Sequence, residues 1–149
     1  MQTTDNNGKL TPPTAPRQWT IAQIEEALSR PIPKSILKSR RQGGSNLNYI
    51  PWYKVNEILN KYAPGWTWEI ISIHTTADRL FLSGRLTIPA AEGNIYREGT
   101  GTELLKEWSE KKQQMQELAY GDPSSNAESM AFRRAAARFG LGLYLYDKD

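Results

Sequence analysis

Phe132, Ala135, Ala136 and Phe139 fall on one stripe of a helix that turns by about 100° per residue, and half of that stripe is alanine. A stripe with so little bulk is buried only by a partner that approaches closely, which constrains the rest of the fold. The sequence supplies such a partner between Arg79 and Ile88. There Leu80, Leu82, Leu86 and Ile88 alternate with Phe81, Ser83, Arg85 and Thr87, the period-2 pattern of a strand with one buried face. The helix has start signals in Asp122-Pro123 and in Ser125-Asn126-Ala127-Glu128, which matches a capping box, and Gly140 is a natural stop.

Around this pair the chain places further elements. Thr20 and Gln23 fit the reciprocal capping box of an early helix, with Trp19 and Ile24 at staple spacing and Ile21, Ile24 and Leu28 as its stripe. Pro31 and Pro33 end it. Residues 34–48 read as a basic, then Gly/Asn-rich segment. A second helix follows Pro51, with Trp52, Val55, Leu59 and Tyr62 at helical spacing, and Pro64-Gly65 stops it. Gly65 to His74, with Trp66, Trp68 and Ile70 on one face, and Asn94 to Thr102 flank the alternating strand. Thr76-Ala77-Asp78 and Glu92-Gly93-Asn94 are the turns. The expected fold is therefore α+β: a three-stranded antiparallel meander packed against a C-terminal amphipathic helix, with two N-terminal helices. Residues 1–18 have little to bury and read as a disordered tail, leaving 19–149 as one domain. The polar stretch at about 104–119 reads as an exposed helical or mobile insertion.

Composition excludes several classes of function. The chain of 149 residues has no cysteine and a single histidine, His74, so thiolate metal sites, disulfides and a His-based triad find no support. No apolar run nears the ~20 residues of a membrane span, and the polar N-terminus lacks the layout of a secretory signal. The expectation drawn from this is a cytosolic protein, nucleoid-associated if prokaryotic, needing no cofactor. Gly99-Thr100-Gly101 is not a nucleotide loop, because neither the P-loop nor the dinucleotide pattern surrounds it. Asp122, Glu128, Glu98 and Glu103 could in principle gather a metal for a nuclease. Glu128 is better explained as part of the capping box, and scattered acids usually form a solvated surface.

Net charge is only +3, but its distribution is uneven. Residues 30–41 hold five positive charges, Lys38, Arg40 and Arg41 among them, and no negative one. Such a stretch is either the footprint of a phosphate backbone or a solvated basic loop. On the last helix Arg133 falls on one flank of the apolar stripe, and Arg134 and Arg138 on the other. Tyr49, Trp52 and Phe81 are candidates for stacking on bases, with core packing as the plainer reading of Trp52.

Taken in order, several segments resemble the Rad52 family of single-strand annealing proteins. Gly43-Gly44 follows the basic stretch and leads to Tyr49-Ile50, and a helix ends just before Gly65-Trp66. Gly99-Thr100-Gly101-Thr102-Glu103 is similar to the family's Gly-x-Gly-x-Ser-Glu segment. The last helix carries a basic pair before Ala135-x-x-x-Phe139-Gly140 and leads to Leu145-Tyr146-Asp147-Lys148. The resemblance covers residues 28–148. It implies a ring of subunits that binds single-stranded DNA in a groove walled in part by a β-hairpin, and anneals complementary strands without ATP. It places the inner DNA site at Arg40 or Arg41, maps the family's basic pair to Arg133 and Arg134 and its tyrosine to Tyr49, and leaves Lys38 and Arg138 as further candidate DNA contacts. The sequence departs from the family at Thr100, where an aromatic residue is common, and at Ala137, where an arginine is expected and Arg138 stands one residue later. Two other readings remain open. One is a single-strand 3′-end-protecting protein of the damage response. The other is a double-stranded RNA-binding domain, which shares the α-β-β-β-α order.

Overall fold

The computed structural model describes residues 11–42, 44–117 and 122–147, excepting the side chains of 41, 42 and 45. In chain order its elements are α1 (Ile21–Leu28), β1 (Lys38–Gln42), β2 (Ser45–Tyr49), α2 (Trp52–Tyr62), β3 (Thr67–Thr75), β4 (Arg79–Ala90), β5 (Gly93–Leu104), β6 (Lys106–Ser109), β7 (Gln114–Glu117) and α3 (Pro123–Ala137). A 3₁₀ turn, Leu143–Tyr146, follows. Strands β3, β4 and β5 form the expected antiparallel meander, and β1–β2 and β6–β7 are separate two-stranded hairpins. The α+β class and the helix-covered meander agree with the alternation read at Arg79–Ile88.

Helix α3 lies on the sheet because β4 offers it an apolar row, Leu80, Leu82, Leu86, Ile88 and Ala90, all buried, with the ring of Trp68 lying over Gly84 in its middle. The stripe of Phe132, Ala135, Ala136 and Phe139 is buried with Leu86, Ile88 and Ala90, while Leu80 and Leu82 pack with Ala127 and Ala131 one and two turns earlier. Burying each Leu, Ile or Phe contributes about 1.5–3 kcal/mol, so this layer dominates the stability of the fold. The close approach depends on β5 as well. A Cβ at Gly99 would overlap the backbone of Ala131 and Ala135, and one at Gly101 the backbone of Ala127. These two glycines, excluded as a nucleotide loop, are the seat of α3. Helices α1 and α2 close the core with Ile24, Leu28, Val55 and Leu59.

At α1 the sequence expectation holds in detail: Thr20 caps the helix, and the Gln23 side chain returns a bond to the Thr20 backbone. At α3 it does not. The cap is Asp122, whose carboxylate accepts from the Ser125 backbone N–H at 3.2 Å and the Ser125 hydroxyl at 2.8 Å, with Pro123 in the first turn. Ser125 thus spends its hydroxyl on the cap, and Glu128 is released for another contact. The carboxyl of Asp122 is held below the usual aspartate range by the hydroxyls of Ser125 and Ser124 and by the Ser125 N–H.

Two segments fold differently from their sequence reading. The basic Gly/Asn-rich stretch is the β1–β2 hairpin, with Gln42 opposite Ser45 and Gly44 at φ 81°. Positive φ is the conformation a two-residue hairpin turn demands and glycine provides. The polar segment after Leu104 is the β6–β7 hairpin, with Trp108 opposite Met115, instead of a helix. Residues 1–10 and 118–121 lie outside the described residues. Pro16 lies against Gly65, and the Arg17 guanidinium donates to Asn94 Oδ1 at 3.0 Å.

Candidate nucleic-acid interface

The period of a strand decides which basic residues of the hairpin come together. Lys38 pairs with Tyr49 and Arg40 with Leu47, so these four positions share one face. Arg41, paired with Asn46, occupies the alternate position; its side chain lies outside the described residues. The face bearing Arg40 turns toward α3 and the 3₁₀ turn. Together they enclose a groove of about 180 Å³ whose lining includes Arg40, Tyr49, Met130, Arg133, Arg134 and Tyr146.

Tyr49 is the centre of this groove. The Arg40 guanidinium lies 5.6 Å from its ring centroid and that of Arg133 lies 5.2 Å away. Two cations thus share one electron-rich ring, which lowers the cost of holding them together. Among the described residues neither arginine has a carboxylate partner; the ion pairs are Lys54–Glu57 and the pairs Arg85 makes with Glu69 and Glu98. Burial pushes the Arg133 guanidinium below its usual range. Arg40 and Arg134 push the same way, while Tyr146 and Tyr49 oppose them. A half-buried cation facing further cations is an arrangement that an anion would relieve.

The remaining predicted positions are less uniform. Arg134 lines the groove, but its Nη1 also donates to the Thr100 carbonyl at 3.1 Å, tying α3 to β5. Arg138 lies apart, in a separate hollow with Arg97, Glu98 and Thr100. Lys38 sits 5.4 Å from the Tyr53 ring, whose hydroxyl accepts from it and holds the ammonium above its usual range. Trp52 is half exposed, at 50%, and so is not the core residue its helical spacing suggested. Position 52 opens α2, where the helix has only begun to pack. Phe81 is exposed on the sheet face turned away from α3. Sequence reasoning missed Tyr146 as a groove wall. The signal was the Leu-Tyr-Leu-Tyr run after Gly142, whose φ of 68° turns the chain back past Ile50.

Among the described residues no three His, Asp or Glu side chains come together as a metal set. No described helix is long and apolar enough to cross a membrane.

The model of the Rad52/22 family of double-strand break repair proteins matches residues 20–149. DNA repair RAD52-like protein 1, mitochondrial, of Arabidopsis thaliana is 37% identical over 139 residues, covering 92% of this chain and 73% of the relative. DNA repair RAD52-like protein 2, chloroplastic, of the same plant is 37% identical over 130 residues, 85% of this chain and 60% of the relative. These organellar names overturn the cytosolic assignment. Its basis was the missing secretory signal, which bears on export and not on import into an organelle. The chain therefore belongs to the Rad52/22 family of double-strand break repair proteins, with a role in DNA repair.

Proposed function

We infer that this protein binds single-stranded DNA along the Arg40–Tyr49–Arg133 groove and anneals complementary strands without ATP. The observation that carries this reading is the pair of arginines flanking one tyrosine without an acidic partner among the described residues. Phosphates neutralise such cations without regard to sequence, and the tyrosine face offers stacking of about 1–3 kcal/mol per base. Annealing then needs only a strand held by its backbone with base edges free. No bond is made or broken, so the activity calls for no general acid, base or nucleophile. A ring of copies would repeat the groove and add weak contacts along one strand.

The double-stranded RNA reading is disfavoured by Asp122. A phosphate at the start of the last helix would meet the carboxylate already capping it. The test is acceleration of annealing between complementary oligonucleotides in the absence of nucleotide and divalent metal. Acceleration lost on Arg40→Ala and Arg133→Ala is expected; an unaccelerated reaction with the folded protein would refute the reading.

A further inference from the structure

A second cavity, of about 230 Å³, opens on a different flank of α3 from the groove. Its walls are Trp52, Trp66 and Trp68, its floor is the buried Phe132, and Glu128 is its one charged residue. Both inner indoles are fixed through their N–H groups. Trp66 donates to Asn60 Oδ1 at 2.7 Å and Trp68 to Glu128 Oε2 at 2.9 Å. Trp66 and Trp68 meet the Phe132 ring at 32° and 65°, so their planes are inclined to one another. A flat nucleobase wants parallel faces, whereas a cation is served by ring faces converging from several directions. The half-buried Glu128 carboxylate has no Lys, Arg or His partner among the described residues, and a polyanion would be repelled by it.

We propose that this cavity receives a single basic side chain, arginine or lysine, presented by a partner polypeptide. The rings supply cation–π attraction and Glu128 supplies the counter-charge, with the half-exposed Trp52 as the rim that folds over the incoming group. Arginine is the better occupant, because guanidinium is weakly hydrated and stacks on an indole while bonding a carboxylate. This docking function stands apart from the DNA groove and does not depend on it.

The test uses the full chain and Gly/Ser heptapeptides carrying one central arginine, lysine or norleucine, with tryptophan emission as the readout. The arginine peptide should give a saturable change at a concentration about fivefold lower than the neutral norleucine peptide, the scale of one cation–π contact. Trp52→Ala should abolish it. Glu128→Gln, which keeps an acceptor for the Trp68 N–H, should weaken it while leaving the fold intact. Equal responses to arginine and norleucine would overturn the proposal in favour of a plain apolar hollow. Saturation by a deoxynucleoside monophosphate would overturn it in favour of a base site, and no saturable response to any peptide would overturn it outright.

Discussion

Arg133 carries more of the proposed function than any other side chain. It is half-buried beside two like charges and rests on the face of Tyr49. Arg133→Gln should therefore weaken binding of a labelled single-stranded oligonucleotide by roughly tenfold or more, since hydrogen bonds to charged groups contribute about 1.5–3 kcal/mol. Its melting temperature should hold or rise, because the repulsion from Arg40 and Arg134 is relieved. Anisotropy titrations and a thermal melt on the same protein check both halves, and a variant that melts lower yet binds normally would assign Arg133 a structural role instead. Arg138→Ala should cost less affinity than Arg133→Gln, because its hollow lies on the β5 side, away from Tyr49. Helical spacing put Arg133 and Arg138 on opposite flanks correctly. It also grouped Arg134 with Arg138, whereas Arg134 lines the groove beside Arg133; which arginines face the hairpin depends on where β1–β2 packs.

At the level of elements, the seat of α3 on β5 is the least tolerant contact. Gly101→Ala places a methyl against the backbone of Ala127, where no side chain can swing aside. Overpacking typically costs 1–3 kcal/mol, and a backbone obstacle puts this variant at or beyond the upper end. Urea unfolding should show a lower midpoint, whereas a wild-type midpoint would mean that α3 stands off the strand. The cap of α3 gives a second prediction. The folded Asp122 carboxyl titrates below the usual value of 3.8, so its contribution is complete above that value and is lost as pH falls through the folded one. Asp122→Asn still caps but should show a shallower loss of stability as pH falls below the usual carboxyl value of 3.8 than the wild type. Much of this architecture was legible. The alternation at Arg79–Ile88 and the alanine stripe specify a sheet and its cover, and the Thr20–Gln23 box marks α1. The two hairpins were not legible, because their strands are only four or five residues long and each face carries too few apolar residues, Leu47 and Tyr49 in β2 and the Trp108–Met115 pair in the second, to stand out from a loop. Gly43-Gly44 was the only local sign of the first, while Glu110–Gln113 offered no glycine or proline turn signal for the second. The α3 cap was misread because two acceptable starts stand three residues apart, and Pro123 favours the earlier one.

Across the whole molecule, the family match supports a role in DNA repair, while composition alone pointed to the wrong compartment. A net charge of +3 predicts little; its concentration on the hairpin and α3 predicts a steep dependence of affinity on salt. Removing Arg40 and Arg133 together should flatten the plot of log affinity against log salt by about 1.4, at roughly 0.7 per phosphate contact on a single strand. An unchanged slope would place the phosphates elsewhere on the surface. The central claim is annealing, and the most direct measurement is the rate at which two complementary labelled strands pair without ATP or metal, for the wild type and for the Arg40→Ala, Arg133→Ala double variant. The account predicts strong acceleration by the wild type and near-spontaneous pairing with the variant; a wild type that binds either strand yet leaves the pairing rate unchanged would contradict it.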